Sequence, residues 1–147
     1  MKLSRIQVKR LTQSVPHAVT RLFREQNRLH GRAVEPFGVS AEQAHLLTLL
    51  WVWGPLSMGE LGRLAALSTG TLSTAVDRME AAGLVERSKR SVDQRSVTVE
   101  AKGWPPAKQA RLVEALISTE DAMLKPLSAR ERTVLHGLLE RVLAGHP

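Results

Sequence analysis

Between Ser68 and Arg95 the chain gathers hydroxyl, guanidinium and ammonium groups at spacings that suit contact with a polyanion. Ser68, Thr69, Thr71, Ser73 and Thr74 crowd the start and outward side of a segment with helical periodicity, and Arg78 lies at its flank. Hydroxyls donate to or accept from phosphate oxygens and several base edges, and the free backbone N–H groups of a helix start favour a phosphate. Arg87, Lys89, Arg90 and Arg95 follow in close succession, with Glu86 and Asp93 the only acids in that run. A basic loop tip suits a narrow, electronegative minor groove. Asp93 stands two positions before Arg95, where its carboxylate can hold the guanidinium in one rotamer. Solvated alternatives exist for both halves. Taken alone, the Ser/Thr face is also that of an ordinary amphipathic helix, and an exposed Asp–Arg pair is worth under ~1 kcal/mol.

The elements that must position these groups are legible. Ser57 and Glu60 have capping-box spacing, and Leu61, Leu64, Ala65 and Leu67 give the apolar side of a short helix ending near residue 66. The turn ALSTG follows, then a helix TLSTAVDRMEAAG closed by Gly83. With Leu72 at the centre of its inner face, Val76, Met79 and Gly83 fall beside it, and Gly70, Ser73, Thr74, Asp77 and Ala81 face outward, with Thr71 and Arg78 at one flank. Leu84-Val85 and Val97-Thr98-Val99 read as two strands around the polar run Ser88–Gln94. Helix, turn, helix and hairpin together make the layout of a winged helix-turn-helix over Ser57–Arg95.

The flanks read as helices. Residues 1–13 carry Lys2, Arg5, Lys9 and Arg10 and form a short helix or an arm. Residues 15–31 form a helix with Val19, Leu22, Phe23 and His30 on one stripe, ended at Gly31. Ser40 and Gln43 cap AEQAHLLTLLWVW, apolar nearly all round and therefore buried from several sides, which makes Trp51 and Trp53 core or subunit-contact residues. Pro105-Pro106 opens a long helix carrying Leu112, Leu116, Met123 and Leu127. Ser128 and Glu131 cap a last helix with Leu135, Leu138, Leu139 and Val142 at i, i+3, i+4, i+7. The fold class is mainly α with a small β-hairpin.

Composition narrows the function classes. The 147 residues suit one domain. A net charge of +7 and a pI of about 10.8 are consistent with nucleic acid or an anionic membrane face as partner. With no Cys, disulfides, thiol redox sensing and thiolate metal sites are excluded within this sequence. No apolar run reaches the ~18 residues of a membrane span, and the start lacks a secretory h-region, so the expectation is a cytoplasmic protein. Three Trp, two Phe and no Tyr argue against a base-stacking single-strand binder. The histidines at 17, 30, 45, 136 and 146 show no helical metal pair, and His45 reads as a core or pocket residue. No phosphate loop, nucleophile elbow or catalytic carboxylate pair is present, so neither an enzyme nor a cofactor is expected.

The specific run Val76-Asp77-Arg78-Met79-Glu80-Ala81-Ala82-Gly83-Leu84-Val85-Glu86-Arg87, with Leu61…Leu64-Ala65 and Thr71-Leu72-Ser73 before it and Asp93-Gln94-Arg95 after it, resembles the MarR family of bacterial transcriptional regulators. The resemblance extends over residues 15–143. It implies a recognition helix at 69–82, Arg95 as the minor-groove wing arginine with Asp93 as its partner, and dimerisation helices at 1–36 and 105–147 around a DNA-binding region at 37–104. It further implies a homodimer on a near-palindromic operator, acting as a repressor released by a small aromatic or phenolic ligand. Two departures carry expectations. The stretch between Arg95 and Gly103 is about two residues shorter than the family resemblance implies, which predicts a short second wing strand and an unusual junction beyond it. Thr74 stands where relatives are often basic, which predicts modest sequence selectivity. A winged-helix protein-interaction module and a ligand-independent architectural DNA binder are the alternative readings.

Overall fold

The computed structural model describes residues 4–89 and 97–145. Serines set most helix starts. In Ser40, Ser57 and Ser128 the side-chain oxygen accepts from the backbone N–H three residues on, at 3.1, 3.2 and 3.3 Å. The Gln43, Glu60 and Glu131 side chains accept in return from the serines' own N–H groups, at 2.9, 2.9 and 2.8 Å. Each box satisfies donors that a helix start leaves open. These three caps open α3 (Ala41–Trp53), α4 (Met58–Ala65) and α7 (Ala129–Ala144). The same device at Ser4 and Gln7, unnoticed in the sequence, opens α1 (Arg5–Thr12).

The helix α2 (Val15–Val34) is capped by Ser14 and runs past Gly31, where the sequence reading ends it. A lone glycine costs a helix only about 1 kcal/mol relative to alanine. The break comes instead at Glu35–Phe37, a single 3-10 turn containing Pro36, which lacks a backbone donor. Gly38 follows in the left-handed region. The helix α5 (Thr69–Ala81) begins at the Ser68 cap, two residues ahead of the reading from periodicity. The helix α6 (Pro106–Leu124) stops before Leu127.

Three antiparallel strands lie in the order β1-β3-β2: β1 (Leu56–Ser57), β2 (Val85–Lys89) and β3 (Val97–Ala101). The two-residue β1 is too short to leave a periodic signal. The expected shortening of the second wing strand is not found. Val97–Ala101 pairs along the whole of β2, from Val85↔Ala101 to Lys89↔Val97, and Leu56↔Val99 adds the third strand.

The core lies in the middle of the chain. Leu46 and Leu47 of α3, Leu61 of α4, Leu72, Val76 and Met79 of α5, Val99 of β3 and Leu112 of α6 are fully buried. As expected for a helix apolar on most sides, α3 buries Ala44 and Leu50 as well. Trp51 packs its ring 5.4 Å from that of Trp104, which stacks on Phe37 at 6.1 Å. Trp53, by contrast, is exposed. Just before Trp104, Gly103 has φ +75, and a Cβ there would lie 3.3 Å from the Gly83 carbonyl oxygen. The Lys102 N–H donates to the Leu84 carbonyl at 2.8 Å. The wing-to-α6 junction is thus tightly held.

The terminal helices differ from this centre. No residue of α1 or α7 is buried, and α2 buries only Val34. Val15, Val19, Leu22 and Phe23 on α2, and Val134, Leu138, Val142 and Leu143 on α7, keep 40–70% of their surface open.

Candidate nucleic-acid interface

The helices α4 and α5 form the helix-turn-helix. Leu61 and Ala65 bury against the face of Leu72, Ala75 and Val76. Gly62 allows the close approach, since a Cβ there would lie 3.4 Å from both the Leu67 carbonyl oxygen and Leu72 Cδ2. The turn between the helices passes through Ala66 in the left-handed region.

This packing presents the opposite face of α5. Ser68, Thr69, Gly70, Thr71, Thr74, Asp77 and Arg78 are exposed, and Ser73 is half-buried at the edge. Ser68 Oγ accepts from the Thr71 N–H at 3.3 Å and shares a hydrogen bond with Thr71 Oγ1 at 2.9 Å. The Thr74 hydroxyl donates back to the Gly70 carbonyl at 3.1 Å, which leaves it an acceptor. Arg78 has no ion-pair partner among the described residues. A groove of about 880 Å³ between α4 and α5 brings Arg63 beside Thr69. Sequence reading passed over Arg63; its place in the last turn of α4, facing the start of α5, was the available signal.

Arg87 is engaged within the chain. Its side chain is only 23% exposed, and its guanidinium pairs with Asp77 at 2.7 Å and Glu80 at 2.8 Å, both on α5. Lys89 closes β2. The Lys89 side chain and the residues Arg90, Asp93 and Arg95 lie outside the described residues. The structure therefore brings the α5 hydroxyls and Arg78 to one surface, and engages Arg87 within the chain.

A MarR-family model matches residues 39–97, the span from α3 into β3. The chain is 31% identical to the HTH-type transcriptional regulator MgrA of Staphylococcus aureus over 121 residues, 82% of this chain and 81% of that one. The chain belongs to the MarR family. It is a winged-helix transcriptional regulator. An uncharacterized HTH-type transcriptional regulator of Bacillus subtilis, YcgE, is 37% identical over 70 residues, and that match spans 48% of this chain and 46% of the Bacillus protein. The fold is that of a mutant Escherichia coli MarR solved in complex with operator DNA, with a TM-score of 0.82 at 22% identity over 92% of this chain and 98% of that one.

At the base of this MarR-family wing one lysine serves two acids. Glu86 and Glu100 stand opposite each other on β2 and β3, a repulsive arrangement. Lys102 reaches both, at 3.1 and 3.6 Å, and hydrogen bonding to Glu86 raises its pKa from the ordinary lysine value. Farther off, His30 Nε2 is buried without a hydrogen-bond partner, 3.9 Å from Glu120. His45 lies on an exposed side of α3 and not in the core, correcting the sequence reading. Atoms crowded against its ring, and secondarily His30, push its pKa down. Among the described residues no group of His, Asp and Glu could hold a metal, and no helix is long and apolar enough to cross a membrane.

Proposed function

We propose that this protein acts as a homodimer that binds a near-palindromic DNA duplex, represses transcription from it, and lets go when a small aromatic ligand binds. The observation that carries the reading is the α5 surface. It offers a capped helix N-terminus, short hydroxyl side chains and Arg78, which has no ion-pair partner among the described residues, on a helix held from behind by α4. Short side chains permit close entry to a major groove, and the helix start meets a phosphate. Ser68, Thr69, Thr71, Ser73, Thr74 and Arg78 are assigned to that groove. Lys89 and Arg90 are assigned to phosphates, and Arg95, oriented by Asp93, to the minor groove. Few strong base-reading groups stand among them, so shape carries much of the selectivity.

The surface area supports a dimer. The chain alone exposes 11131 Å², against roughly 7,500 Å² for a compact monomer of 16.2 kDa. The terminal helices carry open apolar faces, which fits residues 1–36 and 105–147 as the pairing region. For the ligand, a crevice of about 360 Å³ between α2 and α6 sets Arg32 and Ser118 beside apolar Leu29 and Ala122, a lining suited to an aromatic acid.

Titrating the protein against random-sequence and genomic duplexes at low and high salt tests the class of function. Binding with a preferred site, weakened by Arg95→Ala with the dimer intact, is expected. Absence of binding at low salt would favour a protein-interaction module, and binding without site preference an architectural role. DNA release and thermal stabilisation by small aromatic acids are expected, and neither occurring would remove the ligand.

A further inference from the structure

The ion pairs of Arg87 join two elements that no covalent or ladder contact ties together at that point. Asp77 and Glu80 are one helical turn apart on α5, and Arg87 lies on β2 beyond the Gly83 turn. Glu80 uses both carboxylate oxygens. One accepts from the Arg87 backbone N–H at 3.0 Å, and the other from its guanidinium at 2.8 Å. Asp77 takes the second guanidinium nitrogen at 2.7 Å. Arg87 pairs with the fully buried Val99 across the strands and alternates with Glu86 and Ser88, so its side chain leaves the sheet on the inward face, toward α5. Hydrogen bonding from the Arg87 backbone and then its side chain holds Glu80 below the usual carboxylate range.

We infer that Arg87 is a positioning residue that fixes the wing strand β2 against the recognition helix α5, and that Asp77 and Glu80 serve DNA binding by holding it. This rests on the DNA-binding reading above. It assigns acids on a DNA-facing helix a favourable role, opposite to the repulsion expected of a carboxylate near phosphates. It also removes Arg87 from the phosphate contacts. Its charge is spent on two carboxylates that would otherwise face the duplex uncompensated, and β2 leads from it directly into the basic run at 90–95.

The test uses a duplex selected by the full-length wild-type protein from a random-sequence pool. Affinities of Arg87→Ala, Arg87→Lys, Glu80→Ala and Asp77→Asn are measured over a range of salt. Alanine is the best helix former, so Glu80→Ala does not threaten α5 on that count. The expected result is roughly tenfold weaker binding for Arg87→Ala and for Glu80→Ala, in keeping with the loss of charge-assisted hydrogen bonds. Asp77→Asn falls less, and Arg87→Lys recovers part of the loss. The slope of log affinity against log salt stays at the wild-type value in all four, because the loosened wing still reaches its phosphates in the complex and the loss is the cost of ordering it there. Unchanged or tighter binding by Glu80→Ala overturns the inference. So does a slope reduced by about 0.9 in Arg87→Ala, the mark of one lost phosphate contact. Failure of the wild-type protein to select any duplex overturns the DNA-binding reading itself, a distinct result.

Discussion

Replacing Phe23 by alanine should separate the two copies of this chain. Phe23 sits on α2 at helical spacing with Val15, Val19 and Leu22, and is 60% exposed in the single chain. Fully burying a phenylalanine is worth about 1.5–3 kcal/mol, so covering its open share contributes roughly 1–2 kcal/mol per copy. A two-fold axis uses the residue twice, which gives roughly 2–4 kcal/mol per dimer. At about 1.4 kcal/mol per decade, the dimer dissociation constant should rise by around two orders of magnitude. Alanine keeps the helix, and the side chain removed is mostly outside the core of one chain, so secondary structure should persist. Sedimentation equilibrium over a concentration series reads the constant directly. The melting temperature of the wild type should also rise with concentration, since association stabilises the folded chain. A dissociation constant within about threefold of wild type would refute the placement of α2 in the interface, since that is under ~0.7 kcal/mol. A wild-type monomer at every concentration would refute the dimer.

Two further outcomes follow from the fold. Gly103→Ala should destabilise by about 1–2 kcal/mol or more, because a left-handed residue acquires a Cβ that also meets the Gly83 carbonyl; denaturant melts would show it, and no loss would mean the junction can relax. His45 has a folded pKa below its ordinary 6.5, chiefly because neighbouring atoms strip water from part of its otherwise exposed ring, and secondarily through His30. Its neutral form is the one the fold favours, so its contribution is complete above that value and is lost as pH falls through it toward the lower folded pKa. His45→Gln should flatten the fall of stability over that acid range, and an unchanged slope would place the sensitivity elsewhere.

What the sequence disclosed, and what it hid, divides by range. Capping boxes are four-residue devices, so Ser40–Gln43, Ser57–Glu60 and Ser128–Glu131 could be read directly and are found bonded. The buried face of α5 followed from helical period alone. Gly31 misled because a glycine inside a helix costs little when neighbours hold it, whereas Pro36 cannot donate. The strand β1 escaped because two residues carry no period. Arg87 was read as one member of a basic run, since charge counting along the chain cannot see carboxylates seven and ten residues earlier that a glycine turn folds back onto it. Arg63 was missed for the complementary reason: its neighbour Thr69 lies across a helix turn. The family resemblance reached further than either signal, because it transfers a whole arrangement at once. It also overreached at β3, where fewer residues before Gly103 were expected to shorten the strand. Pairing to β1 and β2 holds all five residues instead.

In the proposed complex two copies of α5 enter successive major grooves on one face of a duplex. Hydroxyl-radical footprinting of the wild-type protein on its selected duplex measures this most directly. Two protected tracts related by two-fold symmetry are expected, with half-site centres one helical turn apart, about 10–10.5 base pairs. A single unpaired tract, or protection spread evenly along the duplex, would contradict it.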